Sequence, residues 1–246
     1  MPPELLEEII RFLPAGAQAN LARVARQLVE PCQEELYRTL DVLDSKVLEG
    51  WLCNGHEKRA RLLEYTQSLF CRAGPKINET NTGVNVATFL EDHLPKFPNL
   101  LRLTVCNGVI SPDRFRTPLT FHKLTVLTLK KCSMSFRDLV TLLNQLPELI
   151  QLTLHKINII VDEEKRVTQL HYYPTALSMT ESGNGVLREL SDLPIPYKEL
   201  TLDIFQDGIT APAQKFITYS VGSLVRLDLG NTLLYGMCHN DLPGNR

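Results

Sequence analysis

The chain has 246 residues, 43% of them hydrophobic and 22% charged, an ordinary globular composition that excludes a wholly disordered polypeptide and allows one large domain or two. Its 26 basic and 28 acidic residues leave a net charge of −2, so the overall balance gives no reason for a phosphate backbone or an anionic membrane as an obligatory partner. No segment approaches the roughly 18 apolar residues of a spanning helix, and Met1-Pro2-Pro3-Glu4 lacks the basic start and apolar centre of a secretory leader, so the expected location is cytoplasmic or nuclear.

Residues 1–40 carry a helical period. Leu5, Leu6, Ile9, Ile10 and Leu13 fall at i, i+1, i+4, i+5 and i+8, one stripe of a helix whose first turn suits Pro2 and Pro3. Pro14 and Gly16 are expected to end it. Leu21, Val24, Ala25 and Leu28 recur at i, i+3, i+4 and i+7, predicting a second helix that Asn20 is placed to cap. Pro31 is expected to break or restart the chain before a third short helix holding Cys32, Leu36 and Leu40. Modules below about 40 residues usually need a partner or a neighbouring domain. Two readings of the stripe therefore stay open: a cap that hides it against the neighbouring domain, or a docking module that leaves it exposed.

Residues 41–99 read as a linker with irregular first units. Leu40-x-Val42 and Leu69-x-Cys71 are expected strands, with Trp51 and Leu52 on a helix between them. A polar loop is expected over 76–85 and a helix over 86–94, leading into Pro98.

From residue 100 to 234 the pattern L-x-x-L-x-L returns. It reads Leu100/Leu103/Val105, Leu124/Leu127/Leu129, Leu149/Leu152/Leu154, Pro174/Leu177/Met179, Tyr197/Leu200/Leu202 and Leu224/Leu227/Leu229, at successive offsets of 24, 25, 25, 23 and 27. This period and template resemble leucine-rich repeats, in which each unit supplies one short strand and a helical or irregular return. The resemblance implies an α/β fold, a solenoid with a curved parallel sheet. Helical returns are expected over 136–146, with Phe136, Leu139, Val140, Leu143 and Leu146 on one face, and with less regular patterns over 163–171 and 185–190.

Strand alternation turns the leucines inward and leaves the residues between them on the concave sheet surface. The middle position reads Thr104, Thr128, Thr153, Ser178, Thr201 and Asp228, nearly a continuous hydroxyl ladder. Such a ladder either stabilises neighbouring strands or contacts a ligand. The flanking positions carry Arg102, Lys130, Lys131, His155 and Lys156 early, then Glu181, Glu199, Asp203 and Asp228, with Arg226 as an exception. The expected ligand is a protein segment of opposite charge polarity, held by the ladder together with Arg102, Lys130, Gln151, His155, Asp203 and Arg226.

The six cysteines, Cys32, Cys53, Cys71, Cys106, Cys132 and Cys238, are dispersed and are expected to be reduced and mostly buried. Cys53-Asn54-Gly55-His56 has no second ligand pair at zinc spacing, and Cys238-His239 lies far away. Neither a glycine-rich phosphate loop nor G-x-S-x-G is present. No catalytic residue, metal or cofactor is expected. Asn78-Glu79-Thr80 matches a glycosylation acceptor and is expected to stay unmodified. The polar tail over 235–246 is expected to leave the last strand uncovered, as in a shortened repeat array.

M-P-P-E-L-L-E-E-I-I-R-F-L-P followed by N-L-A-R-V-A-R-Q-L resembles an F-box, with Pro2, Glu4, Leu5, Leu6, Ile9, Ile10, Leu13, Leu21, Val24 and Leu28 at matching positions. Met1 stands in place of the leading Leu, and Leu28 lies near where many members carry Trp. F-box followed by leucine-rich repeats is a recurring arrangement, notably in fungal families. The resemblance implies a three-helix F-box whose matching residues bind a Skp-type adaptor and, through it, a cullin-RING ligase, while the repeats hold a protein substrate. Such a chain is a non-catalytic receptor. The alternative is a leucine-rich-repeat scaffold with no ligase link.

Overall fold

The computed structural model describes residues 3–42, 61–72, 94–110, 123–160, 170–180, 184–191, 193, 195–203 and 211–230. The expectations for Pro2, for Trp51 and Leu52, for Cys53 to His56, for the polar loop at 76–85, for the helix at 86–94 before Leu94, for Glu181 and for the tail at 235–246 fall outside them.

Three helices open the chain: α1 (Pro3–Phe12), α2 (Ala15–Val24) and α3 (Val29–Tyr37), with a 3-10 turn over Arg26–Leu28 before the last. Of the two roles expected of Pro31, the restart holds: it occupies the first turn of α3, where its missing N–H costs no helical hydrogen bond. Two other expectations are corrected here. Asn20 lies inside α2 and caps nothing; the helix starts directly after Pro14, with Gly16 in its first turn. Leu28 belongs to the 3-10 turn and Leu40 to the first strand, so the second and third helices end earlier than their apolar periods.

The remaining backbone forms an α/β layer. Parallel strands β1 (Thr39–Val42), β2 (Ser68–Arg72), β3 (Arg102–Cys106), β4 (Val126–Lys130), β6 (Gln151–His155), β8 (Ala176–Thr180), β9 (Glu199–Asp203) and β10 (Arg226–Gly230) lie side by side in chain order. The pairing is in register with the repeat: Leu103 meets Leu127, Leu127 meets Leu152, Leu152 meets Leu177, Leu177 meets Leu200, and Leu200 meets Leu227. Identical phase on every strand sends the leucines to one face, where Leu103, Val105, Leu127, Leu129, Leu152, Leu154, Leu200 and Leu202 are buried in a single core. Parallel strands are usually buried on both faces and read as continuous apolar runs. Here the burial alternates along each strand, so the opposite face stays partly open.

After β3, β4 and β6 the chain turns through a left-handed residue: Asn107 (φ 59°), Lys131 (φ 53°) and Lys156 (φ 53°). Each continues the ladder, its N–H donating to Lys130 O (2.9 Å), His155 O (2.7 Å) and Thr180 O (3.0 Å) respectively. The left-handed region costs an L-residue roughly 1–2 kcal/mol, least for Asn and Asp. Beyond the corner lies a second small ladder, in which β5 (Ser133–Ser135) pairs in parallel with β7 (Asn158–Ile160) and Val109 bridges Ser133.

Helices return the chain beneath the core. Helix α4 (Phe136–Asn144) starts with a capping box: Ser135 Oγ accepts from Asp138 N–H at 3.0 Å, and Asp138 Oδ2 accepts from Ser135 N–H at 3.3 Å. It buries Leu139, Val140, Leu142 and Leu143. Helix α5 (Asn184–Ser191) buries Val186, Leu187 and Leu190, and α6 (Ala211–Ser220) buries Ala213 and Phe216. Phe216 stacks on the buried Tyr197 ring at 5.6 Å. Of the return expected over 163–171, only Leu170 and His171 are described, and neither is helical.

The last unit departs from expectation. Leu227 and Leu229, assigned to the core by their phase, are 37% and 42% exposed. Strand β10 ends the sheet order, so among the described residues no further strand shields its apolar side.

Leu129→Ala, in the middle of the stack, should lower unfolding free energy by about 2–5 kcal/mol. Leu227→Ala should cost less than about 1 kcal/mol. Urea denaturation of both variants checks the contrast; equal losses would contradict this assignment of core and edge.

Candidate functional site

Two surfaces carry the residues singled out in the sequence. The first is on α1. Ile10 is 1% exposed and anchors the helix, with Leu6 and Leu13 half-buried beside it. Buried Gln18 fixes the turn to α2, its Nε2 donating to Ile10 O at 2.8 Å. Leu5 and Ile9, by contrast, are 51% and 45% exposed, and Phe12, at i+7 from Leu5, is 88% exposed. Leu5, Ile9 and Phe12 therefore form one open apolar face of the helix. Glu4 and Val24 are also exposed, while Leu21 and Leu28 are half-buried. Phe12 was legible in the sequence, since it continues the i, i+4, i+7 series, but the stripe through Leu13 obscured it.

The opposite side of α1 is tied down by charge. Arg11 and Arg38 both approach Glu35, at 4.0 and 3.1 Å, in a shallow polar pocket that Ile10 and Pro31 also line. Arg61 and the Tyr65 hydroxyl reach Glu30, at 3.6 and 3.3 Å, linking α3 to the segment before β2. The buried Thr66 donates to Tyr37 O at 3.1 Å. Exposed ion pairs contribute roughly 0–1 kcal/mol each, so their role is orientation more than stability.

The second surface is the open face of the sheet. Strand register aligns Thr104, Thr128, Thr153, Ser178, Thr201 and Asp228 in one half-buried row, continued by Phe70 on β2 and Asp41 on β1. A flanking row aligns Arg102, Val126, Gln151, Ala176, Glu199 and Arg226. The other aligns Arg72, Cys106, Lys130, His155 and Thr180. Within it His155 Nδ1 lies 2.8 Å from Thr180 Oγ1.

The expected run of charge from positive to negative is only half present. Arg226 Nε binds Asp228 Oδ2 at 2.8 Å, which neutralises the acidic end of the middle row. Glu199 is exposed, whereas the side chain of Asp203 lies outside the described residues. The positive end stands clear: Arg102, Lys130 and Lys131 are exposed, and Arg72 lies over the Phe70 ring at 5.5 Å.

Cys32, Cys71, Cys106 and Cys132 are free and buried. Burial pushes the Cys71 thiol up to about 12, with smaller upward contributions from Asp41 and Cys106. Burial likewise raises Cys132 to about 11, against the opposing Gly108 N–H. These thiols stay protonated near neutrality and are weak nucleophiles. Among the described residues, no three His, Cys, Asp or Glu side chains converge as a metal site, and no helix is long and apolar enough to cross a membrane. Neither a family model, nor a curated protein, nor a solved structure matches this chain.

The raised thiols make stability pH-dependent on the alkaline side. Folded Cys71 and Cys132 hold their protons more tightly than the unfolded chain does, so their contribution is complete below about pH 9 and is lost as pH rises from there towards about 12. The limiting slope is about 1.4 kcal/mol per pH unit for each thiol. Urea midpoints measured from pH 8 to 10.5 should fall, and Cys71→Val should flatten the fall; an unchanged decline in the variant would contradict this assignment.

Proposed function

We propose that this chain is the substrate-recognition subunit of a Skp-cullin-F-box ubiquitin ligase. In this reading α1 to α3 are an F-box that docks on a Skp-type adaptor, and the strands and returns are leucine-rich repeats forming a solenoid with a curved sheet that holds a protein client. The observation that carries it is the open apolar face of α1. Leu5, Ile9 and Phe12 face outward while Ile10 alone is sealed against the rest of the helical module. A helix serving only as a cap would bury that face. Large apolar side chains clustered on one exposed helix face mark a surface made for a partner, here the adaptor, with Glu4, Leu6, Leu13, Leu21, Val24 and Leu28 around them.

Function then follows from position. The adaptor connects the chain to a cullin-RING assembly, and the sheet face holds the client beside a conjugating enzyme carried by other subunits. Client lysines gain effective concentration at an active site to which they would otherwise diffuse, and this chain makes and breaks no bond itself.

Because Leu5 and Ile9 are about half exposed, charged substitutions there leave the core intact. Leu5→Asp/Ile9→Asp should weaken binding to a purified Skp-type adaptor by about 100-fold or more, as loss of two central apolar anchors does, with an unchanged melting temperature. Calorimetric titration of both chains decides it. Failure of the unmodified chain to bind the adaptor, or equal binding by the variant, would sink the ligase reading and leave the scaffold.

A further inference from the structure

Positive charge on the sheet is concentrated where three neighbouring strands end. Arg72 and Lys130 terminate β2 and β4 in one aligned row, Cys106 lies between them, and Lys131 forms the next corner. The Cys106 thiol reports their convergence. Burial pushes it up, and Lys130, Arg72 and Lys131 all act on it in the opposite sense, while Asp41 adds to the rise. Among the described residues none of these three cations has a carboxylate partner within ion-pair distance. Lys156, at the corner after β6, flanks the group.

The corners add an independent observation. The left-handed backbone at this step suits Asn, which Asn107 supplies after β3, yet the two following corners carry Lys, a residue strained there. Lysine does nothing for the turn that Asn would not do better. What it adds is a charge, held by the ladder at a fixed spacing.

We propose that the strand-end corner of Arg72, Lys130, Lys131 and Lys156 binds an acidic, extended polypeptide segment laid across β2 to β6. Strand steps of about 4.8 Å make this span roughly 14 Å, the reach of about four or five extended residues. Past β6 the same row continues on β8 with the uncharged Thr180, so a longer polyanion such as a nucleic acid would run beyond the positive field. The inference rests on the sheet being the client face and gives the client's chemistry; it does not depend on the ligase link.

The test is fluorescence anisotropy of the full chain with a labelled hexaglutamate peptide, a hexaglutamine peptide and a six-residue oligothymidylate. Hexaglutamate should bind at least about tenfold more tightly than either control, and its affinity should fall by about tenfold from 50 to 300 mM salt. Lys130→Glu/Lys131→Glu should weaken it by about 30-fold or more, and Lys130→Gln/Lys131→Asn, whose Asn tolerates the corner, by about fivefold or more. Equal binding of hexaglutamine, tighter binding of the oligonucleotide, or unchanged hexaglutamate binding by the folded Gln/Asn variant would overturn the proposal. Adaptor binding measured on the same samples separates the two readings, because these substitutions lie outside α1 and should leave it unchanged.

Discussion

In-register parallel pairing is the constraint on which the rest of this molecule depends. Because each unit is nearly the same length, each strand meets its neighbour in the same phase, so Leu103, Leu127 and Leu152 stack on one another and so do Thr104, Thr128 and Thr153. A slip of one residue would send the whole apolar set to the other face. The left-handed corners at Asn107, Lys131 and Lys156 extend the same ladder by one hydrogen bond and turn the chain in step, which lets β5 and β7 form a second parallel pair. Side chains cross the same steps, Thr125 Oγ1 donating to Leu101 O at 3.2 Å and Thr175 Oγ1 to Ile150 O at 3.3 Å, and so help to preserve phase from strand to strand.

The same constraint allocates the two faces. The leucine anchors of the repeat are spent on one side, leaving rows made mostly of hydroxyls and charges on the other. Stacked threonines contribute roughly 0.2–1 kcal/mol per pair, which accounts for the middle row with no ligand. Lys130 and Lys131 are exposed and, among the described residues, have no carboxylate within ion-pair distance. At the N-terminus the logic reverses: one residue of the α1 stripe, Ile10, is committed to packing, and three large apolar side chains are left facing out.

Strands β3, β4, β6 and β8 to β10 were readable in the sequence because their anchors recur at a nearly constant offset, β1 and β2 from the short patterns Leu40-x-Val42 and Leu69-x-Cys71, and α4 from its apolar face. Several features were not. Ser133–Ser135 and Asn158–Ile160 are too short to show a period, and nothing in a lysine announces a left-handed backbone. Helix α6 buries few side chains, Ala213 and Phe216 among them, so its pattern is sparse. The second helix was placed late because Pro14, which closes α1 as expected, also starts α2. Of the two surfaces, the Thr row followed directly from alternation, whereas the degree of exposure of Phe12 and the Arg226–Asp228 pair depend on three-dimensional neighbours.

Docking of a Skp-type adaptor on the N-terminal helices, the central proposal, predicts where that adaptor should protect the chain. Hydrogen–deuterium exchange of the full chain, with and without saturating adaptor, answers this directly. Protection confined to residues 3–37, with β3 to β9 unchanged, is the predicted outcome. Protection of the sheet with none over α1, or no protection anywhere at saturation, would contradict it.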